Sequence, residues 1–172
     1  ITRVGDTDVS PNSRGFNIAV VEPVFGDVVA TRNFDTYVDA SVATDMAAYL
    51  RGIPDDHILL VAVLDDANGY PPVSPNGSNI IPELRNELKR FGATLIDSLG
   101  FRDSYALIAS RARASAAREM HLVLGAVFFR DTIEVRAREG WCITQGLAPV
   151  NVMGALAWSG DLAPDGAAVD VR

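Results

Sequence analysis

His57-Ile58-Leu59-Leu60-Val61-Ala62-Val63-Leu64 is an unbroken aliphatic run of strand length. It is too short and too rich in branched side chains for a free-standing helix, so it belongs in the middle of a sheet. On its N-terminal side Val42, Met46 and Leu50 recur every four positions, with Ala43, Ala47 and Ile53 beside them. This spacing predicts an amphipathic helix over Ser41 to Arg51, started by Asp39 or Ser41 and stopped at Gly52-Ile53-Pro54. Further back, Phe16 to Glu22, the turn residues Pro23 to Asp27, and Val28 to Phe34 read as a β-hairpin.

Past the aliphatic run, Asp65-Asp66 ends the strand. Asn68 to Asn79, with two glycines, three prolines and three asparagines, has the composition of a long surface loop. Ile80, Ile81, Leu84, Leu88 and Phe91 then repeat at helical spacing, with Pro82 in the first turn and Gly92 just past the end. Leu99 to Asp103 is a turn feeding a strand, Ser104 to Ala109. Ser110 to Arg118 is small, basic and aperiodic, and marks a boundary. Beyond it His121 to Phe129, the alternating Ile133, Val135 and Ala137, and Val150 to Trp158 all read as β, with no helix. The chain is therefore read as α+β with two flanking helices: a lead-in at 1–13, a domain at 14–110, and a β-rich C-terminal extension at 111–172.

Composition narrows the function classes. Apolar residues make up 48% of the 172 and charged ones only 22%, which is globular composition. The net charge of −7 argues against nucleic acid and anionic lipid as partners, because both need surplus cations. Residues 1–101 hold seven basic and fourteen acidic side chains, whereas 102–138 hold seven and four, a mildly cationic band read as a solvated strand face. A single cysteine, Cys142, closes no internal disulfide and supplies no Cys-rich zinc site. No apolar run reaches the length of a membrane span, and the polar N-terminus with Asp6 and Asp8 is unlike a signal peptide.

The chemistry of common enzymes is hard to place. His57 and His121 are the only histidines, each at the mouth of a strand where a structural hydrogen bond is the plain reading, and there is no G-x-S-x-G elbow. Histidine or cysteine pairs at metal-ligand spacing are absent, as are glycine-rich phosphate loops, and Lys89 is the only lysine. Neither a metal nor an organic cofactor is expected. Asp65, Asp66 and Asp103 could supply the carboxyl pair of a glycosidase, a remote alternative that spacing cannot test. Asn76-Gly77-Ser78 is a glycosylation acceptor triplet, relevant only along a secretory route.

What remains is polar residues at strand ends: Arg14-Gly15, Asp65-Asp66, and Phe101-Arg102-Asp103 with Tyr105. Two readings fit. Guanidinium and carboxylate beside an aromatic ring suit a sugar, whose hydroxyls bond both and whose C–H face packs on the ring. Alternatively an internal Arg–Asp pair pins adjacent strands.

The motifs at these positions carry a resemblance. Arg14-Gly15-Phe16-Asn17-Ile18-Ala19-Val20-Val21, Gly26-Asp27-Val28-Val29, Asn33-Phe34-Asp35-Thr36-Tyr37, Leu64-Asp65-Asp66 and Leu99-Gly100-Phe101-Arg102-Asp103-Ser104-Tyr105 follow the order and approximate spacing of the interleukin-like EMT inducer domain. The resemblance spans about 14–110. It implies mostly antiparallel sheets with flanking helices and no enzymatic activity. That domain occurs in secreted cytokine-like proteins, in cell-surface hyaluronan-degrading proteins, and as the lectin-like stem of protein O-mannose N-acetylglucosaminyltransferase. The stem's sugar contacts carry over to Arg14, Asp65 and Arg102, with Phe101 where the stem has tryptophan. The paired cysteines of the cytokine-like members have no counterpart here.

The resulting expectation is a non-catalytic, lectin-like recognition module with glycan contacts at Arg14, Asp65, Asp66, Phe101, Arg102, Asp103 and Tyr105. Its partner would be a glycan with a terminal N-acetylglucosamine-like end, met extracellularly, on a cell or virion surface, or in the secretory lumen. The alternative is a structural or assembly module, a surface appendage or viral fibre component, self-associating through residues 119–172.

Overall fold

The computed structural model describes residues 2–4, 6–69, 78–123, 125–127 and 132. The chain divides into units at 1–138 and 139–172, and every described residue belongs to the first. The expected strands at 133–137 and 150–158, the triplet Asn76-Gly77-Ser78 apart from Ser78, and most of the segment assigned to self-association lie outside the described residues.

A short hairpin, β1 (Arg3–Val4) and β2 (Thr7–Asp8), opens the chain. The sequence reading gave only a polar lead-in there. Next come β3 (Gly15–Val21), β4 (Val28–Phe34), α1 (Ala40–Gly52), β5 (Ile58–Leu64), α2 (Pro82–Arg90), β6 (Ser104–Ala109) and β7 (Arg118–Leu122). The last five strands in sheet order β4-β3-β5-β6-β7 are all antiparallel. The two helices with an antiparallel sheet make the fold α+β.

Alternation along the strands decides the core. Phe16, Ile18 and Val20 of β3, Leu59 and Val61 of β5, and Tyr105 and Leu107 of β6 point to one face and are buried with Met46, Leu50, Leu84 and Leu88 of the helices. Each such aliphatic side chain contributes roughly 1.5–3 kcal/mol by leaving water. The opposite face buries Ala19, Val21 and Leu60, with Val4 and Val9 of the N-terminal segment packed against them.

Helix α1 is started by Asp39, whose side chain accepts from the Ser41 N–H at 2.8 Å. Buried Ala43, Met46, Ala47 and Leu50 form its apolar stripe. Helix α2 has Pro82 in its first turn, and Arg51 of α1 ties the two helices through Glu87, at 3.0 Å, and Glu83.

Two expectations shift after residue 110. The basic stretch taken as a boundary forms short 3-10 turns over Arg111–Ala116, kinked at Arg113. Of the strand expected from His121 to Phe129, β7 begins earlier, at Arg118, and holds His121 and Leu122, while Leu124, Phe128 and Phe129 lie outside the described residues. The reason is visible in the side chains. Glu119 and His121, not apolar residues, face the core from β7, where buried polar partners hold them. Among the described residues no helix is long and apolar enough to cross a membrane.

Candidate functional site

The start of β3, the end of β4, the end of β5 and the turn before β6 meet at one end of the sheet. Gly15 is the register partner of Leu64 and Phe16 of Phe34, so Arg14 and Asp65 follow from the pairing as neighbours across two strands. Arg14 forks onto Asp35, with Nη2 donating to Oδ2 at 2.8 Å and Nε donating to both carboxylate oxygens at 3.1 Å. These hydrogen bonds, and after them the charges of Asp35 and Asp65, push the Arg14 guanidinium above its ordinary range. Its Cζ lies 5.1 Å from the centre of the Tyr37 ring. Tyr37 leans on Phe101 with ring centres 6.4 Å apart. The Arg102 Cζ lies 5.5 Å from the Phe101 ring and its Nε 3.6 Å from Asp65 Oδ1.

Arg14, Asp35, Tyr37, Phe101, Arg102 and Asp65 thus form a continuous patch open to solvent, with Phe101 42% exposed. Four charges cancel pairwise, two aromatic rings lie between them, and several guanidinium hydrogens remain for a ligand. The internal-pair reading holds in part: Arg14–Asp35 pins β3 to β4, while Asp65–Arg102 bridges β5 to the turn at the surface.

The backbone adds an independent sign. Asp65 (φ 61) and Arg102 (φ 58) both adopt the left-handed conformation that glycine prefers. Such positions cost of order 1 kcal/mol for an ordinary residue and persist where the side chain serves another purpose. Replacing Arg102 by glycine is accordingly expected to hold stability or raise it by up to about 1 kcal/mol, the relief of strain outweighing the extra freedom of the unfolded chain. Denaturant unfolding of Arg102→Gly beside Arg102→Ala checks this. A glycine variant more than about 1 kcal/mol less stable than the wild type would make Arg102 a structural residue.

Three of the expected contacts lie beneath this surface. Asp66 is only 3% exposed. One of its carboxylate oxygens accepts from the Asn68 N–H at 2.8 Å and the other, Oδ2, is buried without a hydrogen bond. Burial pushes its carboxyl up, against the pull of the Asn68 and Arg102 N–H groups. A carboxyl raised in this way stabilises the fold when protonated, and that contribution is lost as pH rises through its folded value.

Asp103 is buried, accepting from the Gly100 N–H at 2.8 Å and pairing with His121 Nε2 at 2.8 Å. Tyr105 is fully buried and donates its hydroxyl to Glu119 at 2.6 Å. Their side chains leave the turn or strand on the core side, which sequence spacing does not reveal. With Asp66 and Asp103 buried and Asp65 paired, these three residues do not present the two open carboxyls of a glycosidase. Among the described residues no cluster of His, Cys, Asp and Glu is placed to hold a metal ion. A separate open groove of about 590 Å³ lies between residues 8–11 and Thr31 to Asn33 of the edge strand. It holds none of the patch residues.

Residues 14–113 match the model of the Interleukin-like EMT inducer family. The chain belongs to that family. Human cell migration-inducing and hyaluronan-binding protein is 28% identical over 109 residues, covering 63% of this chain and 7% of that protein. Rat protein FAM3C is 26% identical over 129 residues and human protein FAM3D 28% over 129, each covering 74% of this chain and 49% or 50% of the relative. The chain thus spans about half the length of the FAM3 relatives and a small part of the hyaluronan-binding one.

All six patch residues of this interleukin-like EMT inducer domain fall inside the matched segment, while β7 falls outside it. Sequence reasoning overlooked Asp35 and Tyr37 as members of the patch, although both stand in the Phe34-Asp35-Thr36-Tyr37 motif. A carboxylate and an aromatic just past the end of a strand that pairs with the Arg14 strand was the available signal.

Proposed function

We propose that this interleukin-like EMT inducer domain is a non-catalytic glycan-recognition module. The sugar ring packs on Phe101 and Tyr37, and its hydroxyls bond Arg14, Asp65 and Arg102. The observation that supports this reading best is the open, charge-balanced patch in which two non-glycine residues hold left-handed backbone beside an exposed aromatic. Paired charges suit a neutral hydroxylated ligand, because each hydroxyl can accept from a guanidinium and donate to a carboxylate without leaving a buried ion unmatched. The setting is extracellular or at a cell surface, where such ligands are met.

One sugar at a shallow, solvated patch gains only about 4–6 kcal/mol net, so affinity lies between about a millimolar and tens of micromolar, and several copies of the patch would be needed for firm attachment. The test is an NMR titration of the labelled full chain with methyl β-N-acetylglucosaminide. Amide shifts at Tyr37, Asp65 and Arg102 are expected to saturate together and to vanish in Arg14→Ala and Arg102→Ala. Absence of any shift at these amides through about ten millimolar sugar, with a panel of other neutral glycosides equally silent, overturns the reading.

A further inference from the structure

The Arg102 turn is closed from below. Asp103 N–H donates to the Gly100 carbonyl at 3.4 Å and Gly100 N–H donates to Asp103 Oδ2 at 2.8 Å, so the two ends of the turn carrying Phe101 and Arg102 are locked through one carboxylate. That same Oδ2 lies 2.8 Å from His121 Nε2. A carboxylate only accepts, so Nε2 carries the proton and donates. The pair is enclosed, with side-chain exposures of 12% for His121 and 6% for Asp103. His121 is the register partner of Tyr105 on β6, and residues two apart on a strand share a face, which sets the imidazole on the Asp103 side of the sheet.

We propose that His121 is a positioning residue of the recognition patch: by holding Asp103 it fixes the 100–103 turn and with it the left-handed Arg102. The ligand arm of this inference rests on the glycan reading above; the backbone arm does not. Its consequence is that the patch is completed by β7, an element beyond residue 113 where the family match ends. Without the imidazole donor the buried carboxylate is under-bonded and turns to find another partner, Gly100 N–H loses its acceptor, and the guanidinium of Arg102 is no longer aimed.

Three variants of the full chain separate positioning from mere packing. His121→Gln can place an amide donor where Nε2 stands, His121→Asn reaches only the nearer ring position, and His121→Leu removes polarity. Hydrogen exchange at the Gly100 amide, taken relative to that at Ile18 in the interior strand β3, reads the turn. The dissociation constant for methyl β-N-acetylglucosaminide reads the patch. The leucine and asparagine variants are expected to speed Gly100 exchange about tenfold and weaken the sugar about five- to tenfold, and glutamine to return both to within about threefold of wild type.

Relative Gly100 exchange unchanged in leucine and asparagine, or glutamine no better than asparagine, overturns the proposal. If leucine does not fold, the asparagine–glutamine contrast decides alone. If the wild type binds no sugar, the glycan reading falls and Gly100 exchange still decides the role of His121.

Discussion

Gly15→Ala is expected to lower the unfolding free energy by about 3–5 kcal/mol, combining a strained backbone with a steric overlap that cannot relax cheaply. Gly15 has φ +94, and a Cβ built there falls 2.2 Å from the Phe34 carbonyl oxygen and 2.8 Å from the Asp35 Cα. Both are backbone atoms of the neighbouring chain segment, so no side-chain rotation removes the clash. Either β3 separates from β4 at this end or residues 34–35 move away, and both routes break the Arg14–Asp35 fork. Gly52→Ala is the matched control, since its Cβ meets nothing within 4 Å. Its stability should change by no more than about 0.5–1 kcal/mol, and upward, as for alanine in a helix. Denaturant midpoints of the two variants give the contrast. A Gly15→Ala protein within about 1 kcal/mol of wild type would show that the close approach of the two segments is not needed by the fold.

That glycine also shows why the patch is only partly legible in the sequence. Arg14-Gly15 looks like a pair of site residues in sequence, but the glycine serves backbone contact and only the arginine faces solvent. The central strand, the hairpin and both helices follow from periodicity because their burial is set mainly by apolar side chains, and Met46, Leu50, Leu84 and Leu88 sit where the spacing put them. Arg14, Asp65, Phe101 and Arg102 lie together because antiparallel pairing brings strand ends together.

The burial of three expected contacts and the start of β7 were hidden for a common reason. Asp66 and Asp103 adjoin patch residues in sequence and Tyr105 lies three positions past Arg102, yet in extended chain alternate side chains point to opposite faces, and in turns a one-residue step reverses the direction. β7 was misplaced for a related reason: its inward positions are charged or titratable, so alternation of hydrophobicity gives no warning of which side is buried.

The largest effect on that strand is expected from Glu119. Its carboxylate accepts four hydrogen bonds: from the Tyr105 hydroxyl at 2.6 Å, the Thr94 N–H at 2.6 Å, the Thr94 hydroxyl at 3.0 Å and the Leu95 N–H at 2.8 Å. It therefore joins β7 to β6 and to the turn after α2. Thr94 and Leu95 are exposed and can turn to water, but the phenol of Tyr105 is fully buried. Glu119→Leu should lower stability by about 2–4 kcal/mol, most of it the cost of leaving that hydroxyl without an acceptor. Tyr105→Phe alone should cost about 1–2 kcal/mol, and the double variant about 1–2 kcal/mol less than the sum, because no unpaired hydroxyl then remains.

Burial first, and then the charge and hydrogen bond of Glu119, hold the Tyr105 phenol well above its ordinary value of 10.0. The stability supplied by the neutral phenol is thus complete below pH 10 and lost as pH rises toward the folded value. In Glu119→Leu the phenol should ionise at lower pH than in wild type while staying above the ordinary value, since burial persists, and ultraviolet titration follows it directly. Additive single-variant costs together with an unmoved phenol titration would reduce Glu119 to a surface residue and leave β7 held by its backbone ladder and the His121–Asp103 pair.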